Sequence, residues 1–167
     1  AIAPPSDGGA ALRAAAAGVA GFDWVVLTSV NGVDRFFEAI HDARSLAGVR
    51  VAAIGPGTAD ALAAHGVRAD LVPERFVAES LLDAFPDPPT SYPGRVLLAR
   101  AAVARDVLPD GLRERGWEVE VVEAYQTVAA APTRAQRRAA SDADAITFTS
   151  SSTVERYLEV AGRERVP

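Results

Sequence analysis

The sequence predicts an α/β protein built from two flavodoxin-like, doubly wound lobes of parallel sheet, one complete in the middle of the chain and one partial. Three observations carry this reading. Apolar β-rich runs alternate with helical patterns over short connections through the middle of the chain, the mark of a parallel sheet covered on both faces. The stretch Asp23–Glu38 recurs as Asp144–Glu159, 121 positions later (23 to 144), with Asp23/Asp144, Thr28/Thr149, Ser29/Ser150, Val33/Val154, Arg35/Arg156 and Glu38/Glu159 coinciding. Segments of small residues with proline, Ala1–Pro5 and Ala129–Pro132, flank the central region as two crossings of one domain boundary.

Each element follows from local pattern. Residues 1–21 form a crossing strand and an Ala-rich surface helix (Ala10–Ala20), leading from lobe one. The complete lobe two spans 22–128. Its first strand, Trp24–Thr28, is followed by a helix over Val33–Leu46, where Val33, Phe36, Phe37 and Ile40 fall at helical spacing. Arg50–Ile54 is the second strand, stopped by Gly55-Pro56-Gly57, and Thr58 can cap a helix Ala59–His65 that Gly66 ends. Ala69–Val72 reads as a third strand and Ala78–Phe85 as a third helix. Pro86–Pro93, with four prolines, is a surface loop. Arg95–Arg100 is a strand apolar on both faces. Ala104–Arg115 is a helix bent or restarted at Pro109. Trp117–Val128 is the fifth and longest strand. Residues 129–167 return to the partial lobe one with a polar helix (Thr133–Ala140), the repeated strand Ala145–Thr149 and a helix Ser152–Ala161.

Composition narrows the chemistry. There is no cysteine, so thiolate nucleophiles and disulfides are excluded within this sequence. The two histidines, His41 and His65, lie 24 positions apart (41 to 65) without a metal-binding spacing, and each sits where a helix ends. All 17 basic residues are arginine, which excludes Schiff-base chemistry and a phosphate-loop lysine. A net charge of −5 argues against a nucleic-acid partner. No apolar run reaches the ~20 residues of a membrane-spanning helix, so no membrane partner is expected. The absence of an initiator methionine suggests a segment of a longer protein.

Ligands of doubly wound sheets bind off the carboxyl ends of the strands. Those ends carry Thr28, Ser29 and Asn31; Gly55, Gly57 and Thr58; Arg100 with Arg105; Tyr125 and Thr127; and Thr149, Ser150 and Ser151. Hydroxyls, helix-start N–H groups and arginines suit carboxylates or phosphates. No His, Asp or Glu sits at a strand end, so the edge reads as a place for positioning an anion. Singly, each residue has a plainer account: Ser, Thr and Asn before a helix are usually caps, Gly-Pro-Gly-Thr is a turn, Arg100 can pair with Asp106, and Tyr125 can belong to the core.

Taken together, these motifs resemble the uroporphyrinogen-III synthase family. The family's Thr-Ser-x-Asn-Gly-Val is matched by Thr28–Val33, its Ile-Gly-Pro-Gly-Thr by Ile54–Thr58, and its Val-Pro-x-x-Phe-x-Ala-Glu-Ser-Leu by Val72–Leu81. Tyr-x-Thr is matched by Tyr125–Thr127 and Phe-Thr-Ser-x-Ser-x-Val by Phe148–Val154. The resemblance covers the chain from about Ile2 to Gly162. It implies a lyase of tetrapyrrole and heme biosynthesis that cyclises hydroxymethylbilane to uroporphyrinogen III, losing water and inverting ring D. It implies no cofactor and no metal, a small polycarboxylate as substrate, and a monomer in the cytoplasm. Tyr125 would be catalytic, helping the hydroxyl leave as a proton donor or through a bound water. Thr28, Ser29, Asn31, Gly57, Thr58, Arg100, Thr127, Thr149, Ser150 and Ser151 would bind the substrate.

Two departures from the family pattern stand out. The opening strand of lobe one and a second Gly-Pro-x-Thr copy are absent, so the segment alone is expected to be inactive. Arg100-Ala-Ala-Val-Ala-Arg105 lacks the Gly or Asp often found between those arginines, which leaves the role of Arg105 open. The competing reading is a flavodoxin-like module that holds FMN or another anion without this activity. Against it stand the few aromatics at strand ends and the lack of a further Ser/Thr cluster near Asn31-Gly32.

Overall fold

The computed structural model describes residues 1–128, 132–148 and 151–161. They divide into two compact units, Ile2–Thr127 on the one hand and Ala1 with the chain from Val128 onward on the other. The larger unit therefore starts at Ile2, whereas the sequence pattern set 1–21 apart. The physical reason is α1 (Ala10–Ala17), which buries Leu12, Ala15 and Ala16 in the same core as Phe36 and Leu62.

A five-stranded sheet organises this unit in the order β1-β5-β4-β2-β3. Here β1 is Ile2–Ala3, β2 Trp24–Leu27, β3 Arg50–Ala53, β4 Arg95–Ala101 and β5 Glu118–Thr127. Four strands are parallel; β1 runs antiparallel along the β5 edge. The expected strand at Ala69–Val72 is reduced to one parallel bridge, Leu71 to Ala52, and does not count among the five. It lies outside β3, and its residues, alternately half-buried and exposed, give it no second face to bury. Taken in chain order, the four parallel strands run 2-1-3-4, so the winding reverses direction between β2 and β4.

Alternation along the strands builds two layers of core. Val25 and Leu27 of β2, Val51 and Ala53 of β3, and Leu97 and Ala99 of β4 face one cluster with Leu12, Phe36 and Leu62, on α1, α2 (Val30–Ala39) and α3 (Pro56–Ala64). Trp24, Val26, Val96 and Leu98 face the other, with Leu81, Leu108 and Leu112 on α4 (Ala78–Ala84) and α5 (Val107–Glu114). Strands buried on both sides read as unbroken apolar runs for this reason.

Helix boundaries differ from the pattern-based ones at several points. α2 stops at Ala39, and Ala43–Leu46 forms a separate 3₁₀ turn capped by Asp42, because Ile40 takes an extended conformation. α3 starts two residues before Thr58, with Gly55 as N-cap and Pro56 at the first helical position, where its missing N–H costs nothing. Pro109 falls in the first turn of α5, so it begins the helix and does not bend it. Gly66 and Gly116 take positive φ (77° and 93°) immediately after α3 and α5, as expected of helix-ending glycines.

In the smaller unit, α6 (Arg134–Ser141) is closed by a reciprocal capping box between Thr133 and Gln136, and α7 spans Ser151–Ala161. Residues 145–148 are not in a strand, contrary to the expectation for Ala145–Thr149; Thr149 lies outside the described residues. A strand exists only through a ladder partner, and no second strand of this unit occurs among the described residues. No helix among them is long and apolar enough to cross a membrane.

Candidate active site at the strand ends

β2 and β3 end flush, and β4 runs two residues further to Ala101. Leu27 is level with Ala53 on one side and Ala99 on the other, so the turns after β2, β3 and β4 share one edge. Gly32 lets α2 start close to that edge: a Cβ there would lie 3.2 Å from Ser29 Oγ and 3.4 Å from the Ala99 carbonyl oxygen. This is the point where the winding reverses, the usual place for a ligand.

Tyr125 reaches the edge through a bulge. The register of β4 against β5 passes from Arg100 opposite Glu123 to Ala101 opposite Tyr125, skipping Ala124. Strict alternation would send Tyr125 to the face of Val119 and Val121. With the extra residue it joins Val122 and Ala124 in the α1/α2 core. Bulges re-aim side chains in this way beside functional sites. The redirected ring is 8% exposed, and its hydroxyl donates to Ser29 Oγ at 3.0 Å.

Ser29 is the N-cap of α2, and its Oγ also accepts from the Gly32 N–H at 3.0 Å. Both acceptor positions of this hydroxyl are thereby filled. Its own proton has no acceptor among the described residues, and the side chain is only half-buried. The pair thus presents an outward hydroxyl donor backed by a buried phenol.

The remaining candidates separate by position. Thr28 and Asn31 are half-buried beside Ser29, and Gly57 is exposed in the first turn of α3. Thr58 is 5% exposed and belongs to the packing of α3, so its side chain does not face solvent at the edge. Arg100 is held within its own loop: its guanidinium donates to the Arg105 carbonyl at 2.8 Å and to Asp106 Oδ1. Thr127 is exposed and level with Ile2 of β1. Thr149 and Ser150 lie outside the described residues, and Ser151 opens α7.

Three residues at this edge had no role assigned from sequence, although Phe76 and Glu79 belong to the matched Val72–Leu81 motif. Phe76 is 58% exposed, and its Cβ and Cγ would meet a Cβ on Gly55 at 3.0 Å, so the absence of a side chain there seats the ring over the β3–α3 turn. Val103, in the turn after β4, is 94% exposed. Glu79, in the first turn of α4, accepts from Arg105 at 2.7 and 3.3 Å, and this hydrogen bond holds its carboxyl below the usual range. Carboxylates are therefore present at the edge after all, brought there by helices and not by strand ends. Cavities of about 200 Å³ (Pro4, Pro5, Leu12, Arg13, Arg35) and 530 Å³ (Val19, Ile40, His41) lie elsewhere, against α1.

A match to the family model described as "Uroporphyrinogen-III synthase HemD" extends over residues 1–166. The chain belongs to the uroporphyrinogen-III synthase family. The uroporphyrinogen-III synthase of Synechococcus elongatus is 33% identical over 172 residues, covering 95% of this chain and 62% of its own. A relative from Methanothermobacter thermautotrophicus is 39% identical over 155 residues, covering 86% of this chain and 59% of its own. The crystal structure of uroporphyrinogen III synthase from Thermus thermophilus superposes with a TM-score of 0.65 at 24% identity, covering 97% of this chain and 64% of that one. The chain thus shares that fold and spans about three-fifths of the length of these proteins.

Proposed function

We propose that this chain supplies one side of the active site of a uroporphyrinogen-III synthase, which cyclises hydroxymethylbilane to uroporphyrinogen III with loss of water and inversion of the last ring. The observation that carries the reading is the Tyr125–Ser29 pair at the winding reversal. A leaving hydroxyl needs a proton, and the arrangement offers one by a relay. Ser29 hands its proton outward as the C–O bond breaks, and the phenol of Tyr125 replaces it. This refines a direct role for Tyr125, whose buried ring meets substrate through Ser29. Thr28, Asn31 and the Gly57 turn are suited to hold carboxylate arms.

Little acid/base power is required beyond this. The linear substrate closes spontaneously, so holding its ends in one geometry is the main catalytic contribution. In this reading the chain builds one doubly wound lobe from Ile2–Thr127, and its last part belongs to a second, similar lobe. The family membership favours this over an FMN-binding module.

The test uses the intact polypeptide that carries this chain. With hydroxymethylbilane as substrate, products are separated into isomers I and III against the spontaneous isomer-I background. Isomer III in excess supports the reading, and isomer I alone sinks it. Tyr125→Phe is expected to lower turnover by ~10²–10⁴-fold, the range of general acid assistance, while the fold persists. Unchanged isomer-III turnover in that variant would remove Tyr125 and the relay from the mechanism.

A further inference from the structure

The geometry points to Arg105 as the carboxylate-binding cation of this edge, with Glu79 as an internal stand-in that the substrate's carboxylate displaces. This rests on the functional reading above and assigns a role to a residue which that reading leaves without one. Two arginines flank the turn after β4, and the structure treats them differently. Arg100 keeps only 13% of its side chain exposed, and its guanidinium is occupied by the Arg105 carbonyl and Asp106. It is a clamp: by bonding the Arg105 carbonyl it fixes the backbone from which Arg105 projects. Arg105 keeps 66% of its side chain exposed, and Glu79 keeps 48%.

The Arg105–Glu79 contact has the two-bond shape that a guanidinium makes with any carboxylate. An exposed pair of this kind is weak, because water screens it and two long side chains must be ordered to form it, so it is readily exchanged for another carboxylate. The location suits the exchange. Ala102, three residues before Arg105, donates its N–H to the Tyr125 carbonyl at 2.9 Å, so the turn leaves the sheet beside the catalytic pair. Glu79 is three residues beyond Phe76, whose exposed ring lies over the β3–α3 turn. Arg75 also attracts the Glu79 carboxylate without bonding to it, and it has no ion-pair partner among the described residues. Arg105 by hydrogen bonds and Arg75 by charge alone thus act on one carboxylate, three residues along the chain from the exposed Phe76 ring, a set of groups that suits a planar pyrrole carrying acidic arms. With Glu79 in place, the Arg105 guanidinium stays ion-paired until a substrate carboxylate replaces that partner.

The exchange predicts changes of opposite sign in the two partners. In the intact polypeptide, Glu79→Gln should tighten binding of uroporphyrinogen III about two- to fivefold, because the competing charge is gone. Arg105→Gln should weaken it about tenfold, the scale of a lost charge-assisted contact, and Arg105→Lys should recover part of the loss. Binding is followed by anaerobic calorimetry, with thermal melting to show that each variant is folded. If Glu79→Gln and Arg105→Gln both weaken binding, or neither changes it, while wild type makes isomer III, the pair is a structural staple and the inference fails alone. If wild type makes no isomer III and binds no uroporphyrinogen III, the functional reading fails and takes this one with it.

Discussion

The two copies of the repeated segment share their sequence pattern and part company in structure. In Asp23–Glu38, Trp24–Leu27 forms a strand buried on both faces, hydrogen-bonded to β3 and β4, and α2 follows. Asp23 anchors its start: the carboxylate accepts the Arg95 N–H at 2.8 Å and the Tyr92 hydroxyl at 2.7 Å. In Asp144–Glu159, α7 forms, but residues 145–148 are outside any strand and alternate between exposed and half-buried. One contact survives in both. Leu27 and Phe36 share a core cluster, and their counterparts Phe148 and Tyr157 have ring centroids 5.4 Å apart. A helix closes its hydrogen bonds within itself, so it needs only its own residues. A strand borrows its partners, so identical patterning yields a strand only where neighbours exist.

The largest expected effect tests that contrast in the core. Phe36→Ala removes a ring with no exposure and should cost about 3–5 kcal/mol of stability. Tyr157→Ala, at the equivalent but partly exposed position, should cost less than about half as much. Denaturant midpoints measure both, and equal losses would break the comparison.

Next comes the strand-end serine. Ser29→Ala removes the α2 cap and the acceptor for Tyr125, and should cost ~1–2 kcal/mol. Tyr125→Phe removes only the second of these and should cost ~0.5–1.5 kcal/mol. A double-mutant cycle measures their coupling; if the two losses simply add, the hydroxyl pair is not formed in solution.

A smaller effect is expected where a helix stands without burial. None of the α6 residues is buried, so the Thr133 capping box is its main local support. Thr133→Ala should cost ~1 kcal/mol of helix stability, visible as lost protection of the α6 amides from hydrogen exchange while β2 and β4 are untouched. Unchanged protection of the α6 amides would mean that α6 is held by packing.

The smallest concerns pH. Hydrogen bonds from Arg44 bring Asp42 down from 3.8 to about 2. Because its pKa is lower in the folded state, Asp42 stabilises the fold above pH 3.8. That contribution fades as pH falls toward 2. The stability gap between wild type and Asp42→Asn should therefore shrink across this window in acid titrations followed by circular dichroism. A gap that stays constant would mean that Asp42 is not selectively stabilised as the carboxylate.

Much of the molecule was legible from sequence alone, because its signals are local. Apolar runs marked β2, β3, β4 and β5, and helical spacing marked α2 and α4. Gly66 and Gly116 marked helix ends, and Ser29 marked a cap. The Thr-Ser and Gly-Pro-Gly turns pointed to one edge of the sheet, since ligand sites in this topology follow strand ends. Other features depended on residues far apart in sequence. Whether Ala69–Val72 and Ala145–Phe148 became strands depended on which neighbours they met. Arg100 and Arg105 look alike in sequence and differ only through Asp106 and Glu79, the latter 26 positions away. The bulge at Ala124 has no signature in an alternating run, yet it decides which face Tyr125 takes. Tyr125 and Ser29 meet across 96 positions. Their residue types were written in the sequence; their meeting required β4 to settle between β2 and β5, because only sheet packing brings those strand ends together.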